Sequence, residues 1–307
     1  MKFTMYPSPW DNVVDEVAAA GHEFVDRIED ADFLIFNGGP RHFPDPLPEN
    51  IGFVQHVFTG VEHLIGSGTI KPGVRWANSA GVYGTPVAEI AMTLLLSQLH
   101  QVKAVTQAGS FDVRWEADAK QGWLFSGRTV AMIGAGGIAR AMIPMLLPFG
   151  VKIIAVNRSG TDVDGADETF AVDQAEHVWG EADAFILTMP LTDETRGMIT
   201  SEHFDAMRPG TIFINTARAE VIAPGALERR LARGDIPAGL DVFDTEPLPA
   251  DSPLRSMPNL VLTPHVAWRS DGANRNLTRQ CVESIASYFT GGDYNAVTSG
   301  VAWNAGK

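Results

Sequence analysis

The sequence predicts an α/β protein with a doubly wound parallel sheet, arranged in two domains. Three observations predict it. From Thr129 onward, short and nearly continuous apolar segments alternate with helical segments across short loops, the pattern of a parallel sheet covered on both faces. A glycine-rich turn, Gly134-Ala135-Gly136-Gly137-Ile138-Ala139, stands between the first of those strands and the first of those helices. The chain has 307 residues, enough for about two domains at roughly 150 residues each.

In the first third, Lys2–Met5, Asp32–Phe36 and Gly52–Val54 read as strands, and Val13–Ala20 as a helix ended by Gly21. Four prolines between Pro40 and Pro48 mark an irregular loop. A long helix then starts with Thr85 as N-cap and Pro86 at its first position. Val87, Ile90, Ala91, Leu94 and Leu95 follow at helical spacing, and the helix is expected to run to about Gln107, stopping near Gly109. The second part reads as strands at Val130–Ile133, Val151–Val156, Ala184–Thr188, Thr211–Asn215, Gly239–Val242 and Leu260–Leu262. Between them lie a helix over Gly137–Phe149, closed by Gly150, and one over Pro224–Arg233, stopped by Gly234. A last helix is expected over Asn276–Thr290, before Gly291-Gly292. Domain boundaries fall near Leu99–Ser126 and near Trp268.

Composition narrows the function classes. Hydrophobic residues make up 45% and charged residues 20%, which excludes a disordered chain. No apolar run approaches the ~18–20 residues of a membrane span, and the N-terminus lacks the apolar core of a secretory signal, so no membrane partner and a cytoplasmic location are expected. The single cysteine, Cys281, excludes an internal disulfide framework and a cysteine-rich metal site, so no metal is assigned. A net charge of −14 without a basic run excludes wrapping of a nucleic acid.

The glycine turn is the first motif with chemistry. Gly134 permits a tight turn, and Gly136 lets a pyrophosphate approach the backbone. Gly137 and Ile138 open a helix whose free amides and positive dipole end suit phosphates, and Ala139 is small enough for close helix–strand packing. The bland reading, a flexible turn, is disfavoured by the strand before it and the helix after it. The second motif is Asn157-Arg158-Ser159, at the end of the next strand. A chain that binds NAD usually carries an acid there for the adenosine ribose; this one carries an amide, a guanidinium and a hydroxyl. Arg158 can pair with a 2′-phosphate and Ser159 can donate to it, which predicts NADP(H) in preference to NAD(H), the other cofactor kept open. A solvated surface arginine is the competing reading.

A third constellation spreads over three strand ends: Asn215-Thr216-Ala217-Arg218, then Asp241-Val242-Phe243-Asp244-Thr245-Glu246-Pro247, then Thr263-Pro264-His265. Carboxyl ends of parallel strands form the ligand crevice. An arginine there can hold a carboxylate with two prongs, and a histidine can pass a proton near neutral pH. A carboxylate beside a histidine favours its charged form and fixes its tautomer. Each residue alone also reads as a surface or structural group, and spacing does not establish the triad.

These segments, with Gly81-Val82-Tyr83-Gly84-Thr85-Pro86-Val87-Ala88-Glu89, Met189-Pro190-Leu191-Thr192 and Thr263-Pro264-His265-Val266-Ala267-Trp268, occur in an order that resembles the D-isomer-specific 2-hydroxyacid dehydrogenases, in particular the glyoxylate/hydroxypyruvate reductase-like members. The resemblance covers most of the chain. It implies two Rossmann-like doubly wound parallel-sheet domains with a cleft between them: a discontinuous substrate domain from residues 1–100 plus 269–307, and a dinucleotide-binding domain from 101–268. It implies catalytic roles for Arg218, Glu246 and His265, and a nicotinamide-orienting role for Asp241. Further cofactor contacts fall on Met189, Pro190, Thr195, Thr216 and Ala217. Substrate contacts fall on Thr59, Gly60, Val61, Arg218 and Trp268, the first three through backbone N–H groups of the loop that begins at Phe58. A homodimer is implied as well, and closure of the two domains around the substrate.

Three departures stand out. Ala219-Glu220 follows the arginine where glycine is usual, Ala139 replaces the third glycine, and the sequence carries no additional regulatory domain like that of the long phosphoglycerate dehydrogenases. The resulting expectation is an NADP-preferring reductase of small 2-oxo acids to D-2-hydroxy acids. The alternative is a nucleotide-sensing binding protein or corepressor-like relative of the same fold. Formate dehydrogenase would require a larger N-terminal portion and NAD preference. Phe58, Tyr83 and Trp268 read equally as pocket walls or as core aromatics.

Overall fold

The computed structural model describes residues 1–125 and 127–297. The chain divides into two compact units, Met1–Tyr83 with Arg269–Lys307, and Gly84–Trp268. Residues 298–307 of the expected substrate domain, and Ser126 at one end of the expected first boundary, lie outside the described residues.

In the first unit, β1 (Lys2–Tyr6) leads to α1 (Asp11–Ala19), β2 (Glu23–Phe24), β3 (Phe33–Phe36), β4 (Phe53–His56), α2 (Glu62–Gly66) and β5 (Arg75–Ala77). They form a five-stranded parallel sheet in the order β2-β1-β3-β4-β5, with Phe3 opposite Phe33 and Leu34 opposite Val54. All four residues of β3 and all four of β4 are buried, as in a sheet covered on both faces. The sequence reading lacked β2 and β5, whose two and three residues are too short to show a period.

The second unit starts with α3 (Gly84–Leu99), α4 (Val102–Gln107) and α5 (Arg114–Lys120). It continues through β6 (Thr129–Ile133), α6 (Gly137–Leu146), β7 (Lys152–Asn157), β8 (Glu168–Ala171), α7 (Val178–Glu181) and β9 (Ala184–Leu187). The last elements are α8 (Ser201–Ala206), β10 (Ile212–Asn215), α9 (Ala226–Leu231), β11 (Ala238–Leu240) and β12 (Leu260–Leu262). The seven strands pair in parallel in the order β12-β11-β10-β9-β6-β7-β8. The order reverses at β6 and β9, so the carboxyl ends of those two strands flank a topological switch point, where ligands bind in open α/β sheets. Val130 and Met132 pack into one apolar cluster, and Ala131 and Ile133 into another. That alternation puts hydrophobic side chains on both faces of the sheet.

Three features of the long helix differ from the sequence reading. The first unit ends at Tyr83, so α3 belongs to the second unit instead of the first; it packs against α6, β10 and β11. Gly239 allows this close approach, since a Cβ there would lie 2.8 Å from the Cβ of Leu94. The helix also does not run unbroken to Gln107: Gln101 adopts a left-handed φ of 53° between α3 and α4. Tertiary contacts explain the break. Gln98 donates to the Ala238 and Asn259 carbonyls, and Lys103 Nζ reaches the Met257 and Leu260 carbonyls at 2.8 and 2.7 Å. Buried carbonyls at the end of the sheet thus recruit side chains from either side of the turn. Thr85 and Pro86 lie within the first turn, because the helix already begins at Gly84.

The chain returns to the first unit as α10 (Asp271–Phe289), which packs on α1. It starts five residues before the expected Asn276. Ser270 caps it by accepting from the Ala273 amide at 2.9 Å, in a polar first turn that carries no apolar period. Among the described residues, no helix is long and apolar enough to cross a membrane.

Candidate active site

The glycine turn follows β6 at the switch point. Gly134 has φ 101°, and a Cβ there would lie 2.6 Å from the Met189 amide nitrogen at the end of β9. Only glycine meets both conditions. Its amide donates to the Val156 carbonyl at 2.8 Å, and its carbonyl accepts from the Thr188 hydroxyl at 2.8 Å, so the turn is tied to the strand on either side. A Cβ on Gly136 would meet nothing within 4 Å, so that glycine faces open space. Gly137 and Ile138 begin α6, whose first amides have no intrahelical acceptor, and Ala139 is fully buried beneath them. An anionic phosphate fits this cradle on three counts: bare backbone, unpaired amides and the positive end of a helix.

The segment after β7 is organised by one side chain. Asn157 Oδ1 accepts from the Ser159 and Gly160 amides at 3.0 and 2.7 Å, and its Nδ2 donates to the Thr161 carbonyl at 2.7 Å. The Ser159 and Thr161 hydroxyls stand 2.7 Å apart, and the Arg158 side chain is exposed. Asparagine therefore shapes a local turn that presents a guanidinium and two hydroxyls, with no carboxylate in the turn. On the loop after β9, Met189 is buried, and Thr195 Oγ1 donates to the Pro190 carbonyl at 2.7 Å while accepting from the Thr192 amide at 2.8 Å.

After β10, Asn215 holds the arginine loop in the same manner. Its Oδ1 accepts from the Ala217 amide at 3.0 Å, and its Nδ2 donates to the Arg218 carbonyl at 3.0 Å. Arg218 is half-buried, and its Nη1 donates to the Ala217 carbonyl at 2.7 Å. The Thr216 hydroxyl is buried without a hydrogen-bond partner among the described residues, which suits a contact with a polar ligand.

His265 and Glu246 come together across nineteen residues of sequence. Glu246 Oε2 lies 2.6 Å from His265 Nδ1, and Glu246 Oε1 accepts from the Phe243 amide at 3.0 Å. The carboxylate is fixed at one oxygen and orients the imidazole with the other, which leaves Nε2 as the ring nitrogen able to exchange a proton with a ligand. His265 itself has φ 51°, a left-handed backbone that a residue with a Cβ adopts only when its surroundings enforce it. Asp241 supplies much of that enforcement. Almost wholly buried at the end of β11, it accepts from Thr263 Oγ1 at 2.6 Å, from the Val266 amide at 3.0 Å and from the Ala267 amide at 3.0 Å. Trp268 donates its indole N–H to the His265 carbonyl at 3.2 Å.

In the first unit, the Phe58–Val61 loop follows β4. The Thr59 hydroxyl donates to the Ser79 carbonyl at 2.9 Å, and the Thr59 carbonyl accepts from Asn78 Nδ2 at 2.7 Å. Gly60 and Val61 lead directly into α2. Tyr83 is a core residue whose hydroxyl donates to the Val57 carbonyl at 2.7 Å, whereas Phe58 is half-buried, edge-on to Trp10 and His56. His56, at the end of β4, is fully buried; burial pushes its imidazole pKa down to about 4, although Nδ1 donates to the Phe36 carbonyl at 3.0 Å.

Sequence reasoning gave Asn215 and Thr263 no role, and it did not foresee the internal work of Asp241. A buried polar residue at a strand end is the signal that points to such anchors, and all three carry it or bond to a residue that does.

The family model for the NAD binding domain of the D-isomer specific 2-hydroxyacid dehydrogenases matches residues 90–267. An uncharacterised protein of Corynebacterium melassecola is 47% identical over 268 residues, 87% of this chain and 88% of that protein. A hydroxypyruvate reductase of Thermotoga maritima is 30% identical over 269 residues, 86% of each chain. The crystal structure of the TT0316 protein from Thermus thermophilus aligns with a TM-score of 0.79 at 26% identity, covering 97% of this chain and all of that one.

Proposed function

Because this chain belongs to the D-isomer-specific 2-hydroxyacid dehydrogenase family, whose members are NAD(P)-dependent, we propose that it reduces a small 2-oxo acid of the glyoxylate/hydroxypyruvate type to a D-2-hydroxy acid, with NADPH preferred. The observation that carries the reading is the 2.6 Å pair of His265 and Glu246 at the carboxyl end of the second sheet. The dinucleotide, when bound, supplies the hydride for the carbonyl carbon. Arg218 binds the substrate carboxylate and polarises the adjacent carbonyl. His265, with Nδ1 held by Glu246, delivers a proton from Nε2 to the carbonyl oxygen as charge develops there. Glycines 134, 136 and 137 with Ile138 hold the pyrophosphate; Met189, Pro190, Thr195, Thr216 and Ala217 line the rest of the cofactor site.

Preference for NADPH is supported by the Asn157 turn, which exposes Arg158 with hydroxyls beside it. Self-association as a homodimer is supported by a segment of the second unit in which Phe111 is 96% exposed and Trp115, Trp123 and Phe125 are also exposed. Residues 102–128 carry four Lys or Arg and three Asp or Glu in a chain of net charge −14, so two copies meet there with little repulsion.

Absorbance loss of NADPH with glyoxylate, hydroxypyruvate, pyruvate and longer 2-oxo acids tests the reading directly. His265→Ala is expected to lower kcat/KM by ~10²–10⁴-fold at every pH. Glu246→Gln keeps the shape without the charge; it is expected to lower kcat/KM ~10-fold or more, because the imidazole loses its charge-assisted anchor at Nδ1. Near-native turnover by His265→Ala on the best oxo acid would refute the assignment.

A further inference from the structure

His265 is the only residue between Thr263 and Trp268 with a left-handed backbone, at φ 51°. A left-handed φ in a residue with a Cβ is unfavourable and persists only where neighbouring bonds outweigh it. The bonds on the N-terminal side are plain: the His265 amide donates to the Thr263 carbonyl at 3.0 Å, and Thr263 is itself tied to Asp241 at 2.6 Å. On the C-terminal side, Val266 and Ala267 turn their amides to the same aspartate. These bonds hold the peptides on either side of His265, the second through its Val266 N–H end alone, and its other end, the His265 carbonyl, takes a further bond. The indole N–H of Trp268, three residues on, holds it at 3.2 Å.

We propose that Trp268 is a positioning residue: its indole N–H fixes the His265 carbonyl, and so the backbone twist that presents Nδ1 to Glu246. This goes beyond the substrate contact expected at Trp268 and rests on the reading of His265 as the proton donor. The chemistry is that of a brace. The His265 carbonyl accepts a bond from a ring on the same loop, and rotation of the His265–Val266 peptide breaks that bond. Without it, that peptide is held by the Val266–Asp241 bond alone, the twist at His265 loosens, and the imidazole aligns less well with the carboxylate, which stays held by the Phe243 amide. A residue that only walls the substrate would act through affinity; a brace acts through the proton-transfer step.

Trp268→Phe keeps an aromatic ring and removes the donor. A second variant carries β-(3-benzothienyl)alanine at 268, inserted by nonsense suppression; it preserves the bicyclic shape and has sulfur in place of the N–H. Both are measured with glyoxylate or hydroxypyruvate and NADPH, after melting curves and NADPH titration confirm folded, cofactor-binding protein. For both, kcat is expected to fall about three- to tenfold, the equivalent of one net hydrogen bond. The KM for the oxo acid is expected to change less than twofold. A raised KM with kcat unmoved in the benzothienyl variant overturns the proposal, because the ring is then a substrate wall alone. Unchanged kinetics in that variant overturns it too. If instead His265→Ala retains activity, the reading of the active site fails and not merely the brace.

Discussion

Two loops at the carboxyl edge of the second sheet are each organised by a single acid or amide side chain, in opposite ways. The turn after β7 is local: Asn157 bonds to Ser159, Gly160 and Thr161, none more than four residues away. The loop after β12 is not: Asp241 reaches Thr263, Val266 and Ala267 across more than twenty residues, from almost full burial. The local device shapes an exposed surface that presents Arg158; the long-range device holds His265 in a backbone it would not otherwise keep. On the proposed function, cofactor selectivity would be a property of a short peptide and the proton-transfer geometry a property of the folded sheet.

The strongest way to break that contrast is Asp241→Ala. It strands a hydroxyl and two amides that a buried carboxylate held, and kcat/KM for oxo-acid reduction is expected to fall ~10²-fold or more. A lowered Tm should accompany the loss; an active Asp241→Ala enzyme would mean that the His265 loop holds itself.

His56 sharpens the comparison in the first unit, where a buried side chain ends β4 just before the Phe58–Val61 loop. Burial lowers its pKa to about 4, with a smaller opposing contribution from the Phe36 carbonyl. The neutral ring is thus the folded form, while an unfolded chain binds a proton near 6.5. Between those values the unfolded state holds more protons, so the contribution of His56 is fully present above about pH 6.5 and is lost as pH falls toward about 4. The loss amounts to about 3 kcal/mol as an upper figure. Chemical denaturation from pH 7 to pH 4 is expected to show a shallower fall in stability for His56→Gln than for the parent; equal slopes would remove His56 from the account.

The smallest effect belongs to the local turn. Arg158→Ala is expected to lower kcat/KM with NADPH ~10-fold or somewhat more and to leave NADH nearly unaffected, since a charge-assisted contact to the 2′-phosphate is lost at an exposed position. Tm should not move, because the Arg158 side chain is exposed. Equal losses with both cofactors would place Arg158 outside the phosphate site.

Six strands of the second sheet were legible because burial on both faces writes them as apolar runs, whereas β8, an edge strand with one buried residue in four, was not; Gly134 was legible because a turn that tight admits no side chain. The break at Gln101 was not legible: the helical period continues across it, and the reason for the turn lies in the carbonyls of Ala238, Met257 and Leu260, far along the chain. The assignment of α3 to the second unit was hidden for the same reason, since an apolar helix does not say which sheet it covers.

The sequence by itself determined which chemical groups stand at the strand ends: the amide and guanidinium at 157–158, the arginine at 218, the carboxylates at 241 and 246, the imidazole at 265. The partners of Asn157 and Asn215 are close in sequence, so those contacts are open to the local chain, though the turns that make them were seen only in the structure. Only the tertiary structure decided that Glu246 and His265 pair at 2.6 Å, and that Asp241 serves the histidine loop from within. Those contacts join β11 and β12 across the sheet, and their distances depend on parallel register and on burial, neither of which a spacing of nineteen or twenty-five residues encodes.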